Sequence, residues 1–222
     1  MPEHNFSPTE GSIERLVVRS NLLDNQLGDP ISREVMVHIP KQGLELIDQG
    51  AKLPVMIYLA PFTSSGLARA GWKAFAETLP QRHERLVNER KMSPTILVLP
   101  DCFTSLGGNQ FVDSKILGLW SSWLHQCLKP TIEQRYATNG KFGLFGKSSG
   151  GYGALHNAIH HEGEWHAIAS HSGDVGFDIL YRSDFPTTAT QINQQGGLDK
   201  FLAHVKVLSL IHISEPTRPI DI

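Results

Sequence analysis

The feature that most constrains this chain is a glycine-rich segment that follows a short apolar run. Residues 142–145 form that run, and residues 146–150 read Gly-Lys-Ser-Ser-Gly. In this Gly-x-Ser-x-Gly pattern the two glycines give the backbone room for a tight turn between a strand and a helix. Such a turn holds Ser148 in a strained, outward-pointing conformation. The pattern therefore predicts an exposed serine hydroxyl that acts as a nucleophile.

Two nucleotide-binding patterns and a plain helix cap compete for the same residues. A phosphate-binding loop of the form Gly-x-x-x-x-Gly-Lys-Ser needs a glycine at position 141, where the chain has a lysine. A dinucleotide fingerprint needs its third glycine where His156 stands. A helix-capping role for Ser148 stays open at this stage, but the apolar run before it and the small residues after it favour the nucleophile.

The composition restricts the classes of partner. Lys and Arg number 20 against 22 Asp and Glu, with no long run of either sign, so nothing indicates binding to nucleic acid or to a membrane surface. The first ten residues are polar, and no apolar run is long enough to cross a membrane, which predicts a soluble cytoplasmic protein. Cys102 and Cys127 lack disulfide or zinc spacing and are expected as buried free thiols, without a metal.

The first half of the chain predicts strands around one helical connection. Residues 13–18 and 33–39 are separated by turn formers and indicate an antiparallel pair. Residues 55–60 and 95–99 are continuous apolar runs, typical of buried strands in a parallel sheet. Trp72, Phe75 and Leu79 fall at helical spacing and predict that a helix through them connects these two strands.

The second half alternates helices and strands. Apolar residues from Ile116 to Leu128 recur at separations of three and four, which predicts a helix that Pro130 bends or interrupts. A helix is expected through residues 154–159, followed by a buried strand at 167–170. His160 and His161 are expected at a solvated helix end. The alternation predicts an α/β fold, with a mainly parallel sheet and helices on both faces.

Four segments of the sequence together resemble one known family. They are residues 55–63, residues 99–102 with the Gly-Gly-Asn-Gln of 107–110, the 146–150 segment, and residues 169–174. The set resembles the esterase D-like branch of the α/β-hydrolases, which includes S-formylglutathione hydrolases, feruloyl and enterochelin esterases and mycolyltransferases. The resemblance covers approximately residues 33–207.

The resemblance implies a serine carboxylic-ester hydrolase that uses no cofactor. Ser148 would attack a small-molecule ester and form an acyl-enzyme. The N–H groups of Ser149 and Phe62 would hold the oxyanion. The family has a His-Gly or Ser-Gly pair in the oxyanion loop, whereas this chain has Ala-Pro at 60–61, and proline lacks an N–H. Asp174 is the candidate for the acid of the triad. Asp101, Cys102 and the 107–110 loop are candidates to line the pocket.

The last fifteen residues look foreign to this fold. Residues Leu208 to Arg218 match, in order, the translation of the reverse complement of a transposase sequencing adapter. We therefore expect residues 1–207 to be a partial α/β-hydrolase domain without its C-terminal strands, and residues 208–222 to be a non-native tail. The catalytic histidine, and an acid if Asp174 is not it, would lie beyond Val207, so this chain is expected to be nearly inactive.

Two other functions stay open on the same scaffold. An acyltransferase would use the same serine but pass the acyl group to an alcohol instead of water. A non-catalytic binding protein would keep the fold without the chemistry. The sequence specifies neither the substrate nor the oligomeric state.

Overall fold

A mixed six-stranded β-sheet organises the chain in a computed structural model that describes residues 6–204. The strands of this sheet are β1 (Ser12–Arg19), β2 (Ser32–Ile39), β3 (Leu53–Leu59), β4 (Ile96–Pro100), β7 (Thr138–Lys147) and β8 (Ala167–His171). They are arranged in the order β1-β2-β4-β3-β7-β8. Two short strands, β5 (Asp113–Ser114) and β6 (Gly118–Leu119), pair separately.

Helices connect most of these strands. They are α1 (Lys41–Asp48), α2 (Leu79–Asn88), α3 (Trp120–Trp123), α4 (Lys129–Arg135), α5 (Ser149–His160), α6 (Phe177–Leu180) and α7 (Phe185–Gln194). A π-helical turn, Leu124–Leu128, joins α3 to α4. Short 3₁₀ turns lie at Asn21–Leu23, Leu67–Arg69 and Arg182–Asp184, and residues 198–204 are helical.

The strand pairing confirms the predicted fold class. β1 pairs antiparallel with β2, and β2 pairs antiparallel with β4. β4, β3, β7 and β8 then follow one another in parallel. Parallel neighbours bring their carboxyl ends to one edge of the sheet, which is where ligands bind in open α/β sheets. β7 ends at this edge with Gly146 and Lys147, the first two residues of the 146–150 segment.

Apolar side chains cover both faces of the sheet, as predicted. Since alternate residues of a strand point to opposite faces, Ile57 and Val98 belong to one apolar cluster while Tyr58 and Leu97 belong to the other. The larger cluster contains the fully buried Trp120 and Trp123 together with Leu124, Leu128 and Ile132. The predicted helix with one apolar face is therefore present from Trp120 onward. The π-helical turn interrupts it immediately before α4, near Pro130.

Three details of the sequence prediction are wrong. Trp72 and Phe75 lie outside the crossover helix, which begins only at Leu79, and their side chains are exposed. Ile116 lies in a turn before α3. β8 has the predicted position but is exposed throughout, because it is the edge of the sheet within residues 6–204. Helical spacing and an apolar run identify potential packing surfaces, and tertiary contacts decide whether anything covers them.

Residues 205–222, which include the adapter-like tail, lie outside the described residues. Within residues 6–204, no helix is both long and apolar enough to span a membrane.

A buried chain of polar side chains links β2 to α2. His38 Nε2 lies 3.1 Å from a Glu84 oxygen, and the Nδ1 atoms of His38 and His83 are 2.9 Å apart. His83 Nε2 lies 2.8 Å from the Thr95 hydroxyl. Neutral tautomers satisfy every ring nitrogen if His38 donates to Glu84, His83 donates to His38 and Thr95 donates to His83. Burial lowers the pKa of His38 to about 4 and that of His83 to about 3, so both rings are neutral at neutral pH.

This network predicts a loss of stability in mild acid. Both histidines have a lower pKa in the folded chain than the ordinary value of about 6.5, so the unfolded chain binds more protons below that pH. The free energy of unfolding should therefore fall as the pH drops below about 6.5, by about 1.4 kcal/mol per pH unit for each histidine that titrates. Urea unfolding between neutral pH and about pH 4.5 measures this slope.

The variant His83→Gln keeps a donor and an acceptor in the buried chain but cannot titrate, so its slope should be shallower. The variant His160→Asn, at an exposed position near the end of α5, is the matched control and should keep the parent slope. Equal slopes for His83→Gln and the parent would contradict this account.

Candidate active site

A sharp bend between β7 and α5 presents Ser148. The residue has φ +55° and ψ −122°, a conformation that non-glycine residues rarely adopt. Its N–H donates to the His171 carbonyl at 3.0 Å, and its own carbonyl accepts the N–H of Tyr152 at 2.9 Å. The surrounding backbone therefore holds Ser148 in this strained state. The expected strand, tight turn and helix are all present.

Two glycines make this bend sterically possible. A Cβ on Gly150 would lie 2.0 Å from the Leu59 carbonyl oxygen, and a Cβ on Gly146 would lie 2.4 Å from backbone atoms of Gly150. The start of α5 thus sits against the end of β3 with no space for a side chain. Ser149, the first residue of α5, is fully buried, and N–H groups at a helix start have no partner within the helix.

Phe62 follows the end of β3 and is held by the 107–110 loop. The Gly108 N–H donates to the Phe62 carbonyl, and a Cβ on Gly107 would lie 2.8 Å from the Phe62 ring. The buried Asn109 fixes the loop by donating to the Cys102 carbonyl at 2.7 Å. Among the backbone hydrogen bonds of residues 6–204, none uses the Phe62 N–H. That N–H is the second oxyanion donor that the sequence predicts.

Asp174 contacts Ser148 directly. The Ser148 hydroxyl donates to Asp174 Oδ1 at 2.9 Å, and the Asp174 N–H donates to the Ser148 carbonyl at 3.3 Å. Its other carboxylate oxygen accepts from Tyr181 at 3.3 Å and from Gln110 at 3.4 Å. The Gln110 amide also donates to the Tyr181 hydroxyl at 3.0 Å. Burial, and then the Asp174 charge, raise the pKa of Tyr181, so it stays a neutral donor at neutral pH.

Ser148 opens into a cavity of about 560 Å³. The cavity is lined by Phe62, Gln110, Ser148, Asp174, Phe177, Leu180, Tyr181 and Phe185. A site of this size, mostly apolar and with a few convergent polar groups, is typical of small-molecule binding.

The structure brings some predicted residues together and separates others. Phe62, Gln110, Ser148 and Asp174 share the cavity. Asp101 and Cys102 are not among its lining residues: the Asp101 carboxylate instead accepts from Ser65 at 2.9 Å. Cys102 is buried, and burial raises the pKa of its thiol, which leaves it a free but unreactive group.

The aromatic wall contributed by Phe177, Tyr181 and Phe185 was not predicted. Phe177, Leu180 and Tyr181 have helical spacing directly after the turn that carries Asp174, and this pattern is a usable signal. His161 also differs from its prediction, since its Nε2 lies 2.8 Å from the Ser121 hydroxyl and its ring packs on His125. Only His160 of that pair is exposed.

Comparison with family models assigns the chain to one family of proteins. The family model described as "Putative esterase" matches residues 30–178, which include Phe62, Ser148 and Asp174. The chain belongs to this esterase family. No curated protein matches it in sequence.

Solved structures with the same fold include esterases and serine hydrolases. A ferulic acid esterase is 20% identical to this chain with a TM-score of 0.56, and the match covers 73% of this chain and 58% of the esterase. A fluorophosphonate-binding serine hydrolase of Staphylococcus aureus is 16% identical with a TM-score of 0.55, and the match covers 77% of this chain and 60% of the hydrolase. An S-formylglutathione hydrolase of Agrobacterium tumefaciens is 16% identical with a TM-score of 0.58, and the match covers 78% of this chain and 61% of that hydrolase. This chain thus spans about three fifths of their length, and the likeness confirms the α/β-hydrolase fold.

The bend predicts a steep cost for any side chain at Gly150. In the variant Gly150→Ala the new methyl group would overlap the Leu59 carbonyl, so we expect the free energy of unfolding to drop by about 3 kcal/mol or more. Gly71→Ala is the matched control, because the nearest atom to its added Cβ is 3.6 Å away. Urea denaturation compares the two, and a Gly150→Ala variant as stable as Gly71→Ala would refute the close approach.

Proposed function

We propose that the intact domain hydrolyses a small carboxylic ester through an acyl-enzyme on Ser148. The observation that carries the proposal is the strained Ser148 at the bend, which lines an open, largely apolar cavity. Membership of the esterase family supports the same chemistry. A helix cap needs neither a positive φ nor a cavity, so the alternative role for Ser148 accounts for less of the geometry.

In the proposed reaction, the Ser148 oxygen attacks the ester carbonyl carbon and the carbonyl oxygen becomes an oxyanion. The N–H groups of Ser149 and Phe62 would donate to that oxyanion, each such donor being worth about 3 kcal/mol. The alcohol then leaves with a proton, and water later attacks the acyl-enzyme to release the acid. Each N–H belongs to a rigid part of the fold, Ser149 to the start of α5 and Phe62 to the loop that Gly108 fixes.

The proton of the Ser148 hydroxyl needs an acceptor. Within residues 6–204, no histidine side chain hydrogen-bonds to Ser148 or Asp174, and the hydroxyl donates to the Asp174 carboxylate. The acid of a serine triad orients a histidine, so Asp174 as that acid stays a prediction. We propose that Asp174 holds the hydroxyl in its rotamer. We also propose that this chain, lacking a histidine base at Ser148 within residues 6–204, reacts far more slowly than a complete triad would.

Covalent labelling tests the nucleophile without requiring turnover. Prolonged incubation of the chain with a fluorophosphonate should add one phosphonyl group to Ser148, detected by intact-mass and peptide mass spectrometry. The variant Ser148→Ala should abolish the label. The exposed Ser183→Ala is the matched control and should keep it.

A label that persists in Ser148→Ala, or a label carried by a different residue of the parent chain, would refute the assignment of the nucleophile. Steady-state hydrolysis of an activated ester by the same samples measures the expected slow turnover. Turnover at the rate of a complete triad, typically about 1–1,000 per second, would refute the proposal that the base is missing from this chain.

A further inference from the structure

The walls and the single charge of the Ser148 cavity indicate which ester would fit it. Four of its eight lining residues are aromatic: Phe62, Phe177, Tyr181 and Phe185. Three of these rings are far more exposed than a core side chain, with 45% of Phe62, 39% of Phe177 and 62% of Phe185 accessible. Exposed aromatic side chains gathered around one cavity are typical of a ligand-binding surface rather than of a packed interior.

The electrostatics of the cavity are one-sided. Asp174 carries the only formal charge among the lining residues, and the ion pairs found within residues 6–204 do not include it. Its hydrogen bonds come from neutral groups, the Ser148 and Tyr181 hydroxyls and the Gln110 amide. These bonds orient the carboxylate but leave its negative charge without a cationic partner.

Three classes of ligand can be compared on these observations. An anionic group would be repelled by the Asp174 carboxylate, and a purely apolar group would cover the carboxylate and remove its solvation without replacing it. An organic ammonium ion gains from both features, because the carboxylate attracts its charge and the faces of aromatic rings attract cations. Phe177 and Tyr181 are already in ring contact, with centroids 5.5 Å apart, and so form part of such a wall.

We propose that this cavity selects an ester that carries an organic ammonium group close to its scissile bond. The inference rests on the proposed ester hydrolysis at Ser148 and specifies its substrate class. Asp174 Oδ1 lies 2.9 Å from the Ser148 oxygen, so a cation paired with Asp174 would sit beside the reacting carbonyl. The cation binds without reacting, and the hydrolysis consumes one water and yields the acid and the alcohol as before.

Binding measurements test the inference independently of turnover. Calorimetric titration of the chain compares choline with 3,3-dimethylbutan-1-ol, its neutral isostere of nearly the same shape. We expect choline to bind about tenfold more tightly than the alcohol, because the Asp174 carboxylate attracts its ammonium group and the aromatic rings contact it. Similar affinities for the two ligands, or no measurable binding of choline, would overturn the inference.

Variants identify the origin of the preference. Asp174→Asn should reduce the ratio of the two affinities to near one, whereas Asp178→Asn removes the same charge from an exposed position on α6 and should leave the ratio unchanged. Phe185→Leu keeps an apolar side chain but loses the ring, so it should weaken choline more than the neutral alcohol. Equal effects of the two aspartate variants would mean that only the overall field of the protein acts, and would also overturn the inference.

An ester pair separates this inference from the proposed function. Butyrylcholine and 3,3-dimethylbutyl butyrate differ in charge but hardly in shape, and the ratio of their kcat/KM values cancels any general loss of catalytic power. Hydrolysis of both at equal efficiency would overturn the cation preference and keep the esterase. Selective binding of choline by a chain whose fluorophosphonate label persists in Ser148→Ala would overturn the assignment of Ser148 as nucleophile and keep the cation site.

Discussion

The direct contact of backbone with backbone at the start of α5 is the constraint on which the rest of the site depends. Gly150 lies against the Leu59 carbonyl, so α5 begins where the sheet ends instead of standing clear of it. This approach forces the chain to reverse within one residue, and that residue is Ser148, at φ +55°. The bend is supported by the end of β3, where Ile57, Tyr58 and Leu59 are all buried, so the strained residue lies against a packed part of the sheet.

The site is completed by loops that converge on this bend from three parts of the chain. Phe62 follows β3, Gln110 belongs to the loop after β4, and Asp174 follows β8. Hydrogen bonds connect them across the carboxyl edge of the sheet, with Gln110 reaching both Asp174 and Tyr181. The parallel order of β4, β3, β7 and β8 explains this convergence, since each strand delivers its following loop to the same edge.

The sequence predicts the support of the site better than its walls. The 146–150 pattern fixes the local conformation of Ser148 almost by itself, because only glycine at both flanks avoids the clashes. Phe62 was predicted as the oxyanion donor for an equally local reason, the missing N–H of the preceding proline. Phe185 instead reaches the cavity through the tertiary arrangement of α7, which no short-range pattern encodes. The mistaken helix at Trp72 and the exposed β8 have the same cause, since burial depends on what packs from elsewhere.

A comparison of Glu84 with Asp174 separates a structural carboxylate from the one proposed to bind a ligand. Glu84 is 4% exposed, and its oxygens accept the N–H groups of Gly11 and Lys41 and contact His38, so its hydrogen-bonding capacity is used inside the fold. Asp174 also accepts three hydrogen bonds, but it borders a cavity. Its charge remains uncompensated beside a strained serine, and a carboxylate placed this way favours interaction with a ligand over stabilisation of the fold.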